Sequence, residues 1–230
     1  MDTQRIVLIT GAKGGLGTFV TEAFLASGDT VVGTSKSIQA SDFSNPRFAA
    51  IASDLTDGQS ARQLVESVLQ RFQRIDALVH VMGGFSGGRP IAETDDATWD
   101  RMMSLNVRSA FNIFRAAIPV MRKAGEGRIV AIASRAGVEP APNIAAYGAS
   151  KAALVSLVRA AALENKDLGI TVNAILPGTM NTDANRKAEP NADVSRWIPP
   201  EHVADLVVFL TSDAAAHITG AAVPIYGIEA

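Results

Sequence analysis

An α/β fold with a parallel sheet is predicted by three observations. Short apolar runs alternate with longer segments of helical periodicity along the whole chain, as in sheets covered by helices on both faces. The first apolar run, Ile6 to Ile9, leads into a glycine-rich turn, Thr10 to Gly17, and then into a helical pattern from Phe19 to Ser27. No repeat, low-complexity tract or linker interrupts the alternation, so residues 1–230 read as one domain, long enough for a full core.

Composition narrows the class. With 47% apolar and 19% charged residues the chain is expected to fold rather than stay disordered. A formal net charge of −2 argues against a nucleic-acid surface, which needs a basic patch. There is no cysteine, which excludes a disulfide, a thiolate nucleophile and cysteine metal ligands. No His/Asp/Glu spacing points to a metal site. The N-terminal apolar segment Ile6 to Ile9 is too short for an export signal, and no run of about 18 apolar residues occurs. No membrane span is expected, and the cytoplasm is the default location.

In the first βα unit the strand–turn–helix order lets backbone N–H groups and a helix dipole face a phosphate. Gly11 suits the tight turn, Gly15 the close approach and Gly17 the packing of helix on strand. The second strand, Thr30 to Thr34, ends at Ser35 and Lys36. A third apolar stretch, Phe48 to Ala52, precedes Asp54 and Leu55 and a helix over Gly58 to Arg71. Ala77 to Met82 reads as the central fourth strand and enters a second glycine-rich loop, Gly83 to Gly88. His80 falls inside that strand and reads as a core histidine. A long helical pattern follows from Trp99 to Arg122. Further strands are read over Ile170 to Leu176 and within Ile218 to Gly227, with an amphipathic helix over Pro199 to Asp213 between them.

The chemistry concentrates between Ile129 and Lys151. Tyr147 and Lys151 are four residues apart, on one face of a helix. Ser134 ends an apolar run thirteen residues before the tyrosine. A phenol, an ammonium and a hydroxyl at the rim of a sheet can move one proton to or from a carbonyl oxygen. A free tyrosine has a pKa of about 10, and lowering it by roughly 3 units takes about 4 kcal/mol of preferential stabilisation of the phenolate. A lysine charge in a half-dry site supplies a term of that size.

The turn T-G-x-x-x-G-x-G at Thr10 to Gly17, with Ser134 and the Y-x-x-x-K of Tyr147 and Lys151, resembles the short-chain dehydrogenase/reductase family over nearly the whole chain. The resemblance implies a Rossmann-type doubly wound sheet of about seven strands in the order 3-2-1-4-5-6-7. It also implies a nicotinamide cofactor, bound by Gly11, Lys13, Gly15, Leu16 and Gly17. The family often has an acid at the position of Ser35, which selects NAD. None stands at 34–37, and Lys36 and Lys13 are placed to pair with a 2′-phosphate, so NADP(H) is favoured over NAD(H). Asp54 and Leu55 match the adenine contact, although Asp54 serves equally as a turn residue. His80, Val81, Met82 and Gly83 stand where the family has N-N-A-G, so the two asparagines are missing, while Met82, Gly83 and Gly84 still match the cofactor-binding stretch.

The resemblance further implies a catalytic set of Asn106, Ser134, Tyr147 and Lys151. In it Asn106 holds a water near the lysine, and Tyr147 and Lys151 also touch the cofactor. Pro177 and Gly178 wall the nicotinamide side, and Thr179 and Thr182 are candidates for the threonine that touches the cofactor. The polar segment 183–198 takes the place of the substrate loop, with Phe85 and Trp197 as candidate pocket aromatics alongside Ser134. The run Asn185 to Trp197 and the loop Val81 to Gly88 look like the dihydropteridine reductase branch, whereas Ser35, Lys36 and Ser134 depart from it. The expected function is NADPH-dependent reduction of a carbonyl or similar C=X group of a small molecule, or the reverse. Quinonoid pterin or quinone reduction is the enzymatic alternative, and a cofactor-sensing binding protein the non-enzymatic one. A homodimer or homotetramer is implied, through the alanine-rich helix around Tyr147.

Overall fold

In the computed structural model, residues 4–229 are described. Met1 to Thr3 and Ala230 lie outside the described residues. The seven strands are β1 (Ile6–Thr10), β2 (Thr30–Thr34), β3 (Phe48–Ala50), β4 (Ala77–His80), β5 (Gly127–Ile132), β6 (Ile170–Pro177) and β7 (Ala222–Ile225). They form one sheet in the order β3-β2-β1-β4-β5-β6-β7, and every pairing is parallel. The doubly wound expectation is met, with the predicted strand order.

Parallel strands covered on both faces read as unbroken apolar runs, and β1 and β6 are buried along their whole length. Alternate side chains go to opposite faces. Leu8, Leu78 and Ile129 meet Leu64 and Val68 of α2 (Gly58–Phe72), Ile113 and Met121 of α4 (Ser109–Ala124), and Leu154 and Val158 of α5 (Ala145–Asn165). Val7, Ile9, Val79 and Val130 meet Val20 and Phe24 of α1 (Gly17–Ala26) and Val203 and Val207 of α7 (Pro200–Leu210). β1 has β2 on one side and β4 on the other. The chain thus switches direction there, and the crevice outside the carboxyl ends of these strands is where such sheets bind ligands.

Two segments differ from the sequence expectation. The long helical pattern is broken into α3 (Asp96–Met103), a π turn over Ser104–Arg108, and α4. In that turn the Ser109 N–H reaches back to the Ser104 carbonyl. Segment 183–198 is not a plain loop. It begins with α6 (Asp183–Ala188), capped by the Thr182 hydroxyl, and tightens again at Val194–Arg196. Among the described residues no helix is long and apolar enough to cross a membrane.

Gly17 is fixed by close approach. A Cβ there would lie 1.9 Å from the Gly11 carbonyl oxygen and 2.8 Å from its carbon. Gly17→Ala should therefore lower stability by about 1–3 kcal/mol, the usual range for overpacking. Urea unfolding measures this, and an unchanged midpoint would contradict the packing.

Candidate active site

The carboxyl ends of β4, β5 and β6 bring the chemistry together. Ser134 lies just past β5, where its Oγ accepts from the Ala136 N–H at 3.2 Å and caps a short turn. The Ser134 hydroxyl hydrogen-bonds to the Tyr147 phenol. Lys151, one turn further along α5, is buried and donates to the Ile132 carbonyl at 2.9 Å. Its Nζ is 5.9 Å from the centre of the Tyr147 ring. Ser134, Tyr147 and Lys151 thus meet as expected from their spacing.

Their electrostatics differ from the expectation. Burial pushes the Lys151 amine down to about 8. Burial also raises the Tyr147 phenol, and the Ser134 hydrogen bond acts against it. Lys151 was expected to depress the tyrosine, yet desolvation dominates both groups. The Ile132 carbonyl holds the ammonium, whose Nζ lies over the Tyr147 ring. At neutral pH the phenol keeps its proton and remains a donor.

Asn106 is buried in the π turn. Its Nδ2 donates to the Gly84 carbonyl at 3.0 Å and to Ser150 Oγ at 2.9 Å, and its Oδ1 accepts from the Gly84 N–H at 2.8 Å. Both amide protons are engaged, so the side chain clamps the loop after β4. A side chain at Gly83 would displace Asn106 or Lys151. A Cβ would lie 2.7 Å from Asn106 Oδ1 and 3.2 Å from Lys151 Nζ.

A cavity of about 290 Å³ opens between the two glycine-rich loops. Gly11, Gly15, Leu16 and Gly17 line one side, and Met82, Gly83, Gly84 and Phe85 the other, with Tyr147 and Lys151 at the same wall. The Phe85 ring meets the Tyr147 ring edge to face at 5.0 Å and is 64% exposed, so it stands at the mouth. Thr182 packs against Gly15, 3.7 Å from where a Cβ would stand, and carries the segment after β6 toward the glycine turn. Pro177 ends β6, the Gly178 N–H bonds the Ile225 carbonyl, and the Thr179 carbonyl accepts from Ile198. These three hold the strand end and are not among the cavity's lining residues. Met180 does line the cavity. Sequence reasoning missed it, because a methionine next to Thr179 and Thr182 carries no signal of its own.

The adenosine end departs from expectation. Lys36 pairs with Asp54 at 2.7 Å, and Lys13 pairs with Asp42 at 3.1 Å while donating to the Ser37 carbonyl. Both lysines expected to be free for a phosphate already have carboxylate partners. Asp54 also accepts from Thr56, and Leu55 is in the core rather than at a ligand surface. Trp197 is a buried packing residue, only 7% exposed, and not among those lining the cavity.

The residues nonetheless fit a dinucleotide. Ser35 Oγ and Thr34 Oγ1 are buried without a hydrogen-bond partner, and a buried hydroxyl requires one. The N-terminus of α1 has no side-chain cap. The Thr18 N–H is taken by the Gly14 carbonyl, and the N–H groups of the first turn that have no intrahelical partner can face an anion at the glycine turn.

The family model described as short chain dehydrogenase matches residues 5–193. The 3-oxoacyl-[acyl-carrier-protein] reductase FabG of Escherichia coli (strain K12) is 31% identical over 235 residues, which cover 97% of this chain and 96% of that protein. The uncharacterised oxidoreductase YvrD of Bacillus subtilis (strain 168) is also 31% identical, over 253 residues covering 97% and 95%. The structure of ElxO with NADP bound superimposes with a TM-score of 0.92 at 27% identity and covers 98% of each chain. The chain belongs to the short-chain dehydrogenase/reductase family and is an NAD(P)-dependent oxidoreductase.

Proposed function

We propose that the protein is an NADPH-dependent reductase of a small-molecule carbonyl group, with Tyr147 as the proton donor. The observation that carries this reading is the cluster of Ser134, Tyr147 and Lys151 against the wall of the glycine-lined cavity. A nicotinamide cofactor, when bound, supplies the hydride. Gly11, Gly15, Leu16 and Gly17 hold its phosphates, and Met82 to Gly84, Thr182 and Lys151 flank its other half. Ser134 orients the substrate oxygen, and Tyr147 donates its proton to that oxygen. Lys151 then faces the developing phenolate. Asn106 holds the wall at Gly84, so its part in the set is positional.

NADP is favoured over NAD because no acid follows β2 and Ser35 offers an unpartnered hydroxyl there. ElxO, a similar chain, is seen with NADP bound. In this reading Lys36 is shared between Asp54 and the 2′-phosphate. The relatives named FabG reduce 3-oxoacyl thioesters of a carrier protein by their name, which puts oxoacyl thioesters among the substrates to test. Segment 183–198, with α6, is the substrate loop of a single domain. Exposed Phe111 and Leu163 on α4 and α5 support assembly as a dimer or tetramer through those helices, and a cytoplasmic enzyme is the accompanying proposal.

One observation favours a second reading. The exposed Phe85 ring beside Tyr147 offers an aromatic wall to a planar quinone or quinonoid dihydropterin. Such a reduction needs little from Ser134.

NADPH and NADH oxidation with diketones, oxoacyl thioesters, quinones and quinonoid dihydropterin tests both readings. Tyr147→Phe should lose about 10²–10⁴ of the turnover while still binding cofactor. Near-wild-type turnover would refute the mechanism. Lys36→Ala should weaken NADPH by about 1 kcal/mol, a factor of about five, and leave NADH alone. Ser134→Ala should abolish most carbonyl reduction but leave quinonoid reduction nearly intact. The same variant has a titration signature. The Ser134 hydrogen bond lowers the Tyr147 pKa, so its removal should move tyrosinate formation to higher pH. The chain has two tyrosines, and Tyr147→Phe provides the Tyr226 background. A shift to lower pH would contradict the geometry.

A further inference from the structure

We propose that His80 is a positioning residue that locks the Met82–Gly84 wall of the cavity to the π turn carrying Asn106. The family pattern has asparagine in this region, and here the fourth strand ends in a histidine. Its ring is fully buried beneath the site. The His80 Nδ1 is 2.9 Å from Thr10 Oγ1, and Thr10 Oγ1 accepts from the Met82 N–H at 3.2 Å. Thr10 Oγ1 still has its own proton to give, and Nδ1 is within its reach as an acceptor. On the other side, Ser109 Oγ donates to the Leu105 carbonyl and lies 3.3 Å from Nε2. With its proton so engaged, Ser109 accepts from Nε2–H. The imidazole is a neutral Nε2–H tautomer with one acceptor and one donor, each matched. Burial, and the Lys151 charge behind it, keep the ring neutral by pushing its pKa down to about 3.

The chain of bonds runs from the Met82 amide through Thr10, His80 and Ser109 to the Leu105 carbonyl. Its far end is inside the π turn, next to Asn106, and Asn106 returns to the same loop through both hydrogen bonds to Gly84. The loop is thus held at Met82 from below and at Gly84 from the side. One ring sits between the two clamps, where neither an apolar side chain nor a single donor could serve. The consequence for cofactor affinity rests on the dinucleotide reading of the cavity, whereas the consequence for the loop does not.

The test uses the full chain without cofactor and then with NADPH. In His80→Leu, amide hydrogen exchange at Met82 and Gly84 should quicken about tenfold, and the Kd for NADPH should rise about tenfold, the effect of losing roughly one buried hydrogen bond. Val79, inside β4, should exchange as before. His80→Gln retains a donor and an acceptor and should recover most of both effects. Unchanged exchange at Met82 and Gly84 in His80→Leu would overturn the proposal. So would equal acceleration at Val79, or a Gln variant as impaired as Leu. Should His80→Leu not fold, Thr10→Val cuts the Met82 link at nearly constant volume. Faster exchange at Met82 alone supports the proposal, and none refutes it. If the wild type binds no NADPH, the dinucleotide reading fails while the exchange measurements still decide the role of His80.

Discussion

A buried ammonium must have oxygen atoms around it, and Lys151 reaches the Ile132 carbonyl at the end of β5. Without such a partner, burial of the charge would be far more costly than folding can sustain. This bond ties α5 to the carboxyl end of β5, on the face of the sheet that the helix covers. Ser134, two residues past Ile132, then falls within hydrogen-bonding reach of Tyr147, one turn before Lys151. The wall opposite is constrained by the same charge. Gly83 passes so close to Lys151 and Asn106 that a side chain there would push one of them aside.

The site is built by backbone and small residues at the ends of strands, with polar side chains acting as struts. The π turn at Ser104–Arg108 sets Asn106 facing Gly84 and Ser150. Extra-residue turns of this kind often mark functional sites in helices. At the other end of the cavity the charges are already balanced. Lys36 has Asp54 and Lys13 has Asp42, so a phosphate there competes with carboxylates that are in place. Such part-exposed pairs are worth at most about 1 kcal/mol, small enough for a dianionic group to displace or share.

Much of this was legible in the sequence for a physical reason. Strands buried on both faces are mostly apolar, so β1, β2 and β6 stood out as runs despite Thr34 and Asn173. The strand–glycine turn–helix unit and the pairing of Tyr147 with Lys151 depend on local spacing alone. What was not legible depends on contacts across the fold. The π turn leaves the apolar periodicity around Asn106 nearly intact, so the pattern from Trp99 onward read as one helix. Asp42 and Asp54 are far from their lysines in sequence, and nothing local announced the pairs. Trp197 satisfies the composition of a pocket and of a core equally, and only packing placed it in the core. The expected depression of the Tyr147 pKa failed because proximity in sequence cannot weigh a charge against desolvation.

The charge state of Lys151 is the most direct test of this account. Lysine labelled with ¹³C at Cε, followed by NMR across a pH titration and assigned with Lys151→Met, reports that amine alone. The structure predicts a midpoint at about 8, well below the ordinary 10.5. A midpoint near 10.5 would mean that Nζ reaches solvent, and the docking of α5 on the Ile132 carbonyl would be wrong.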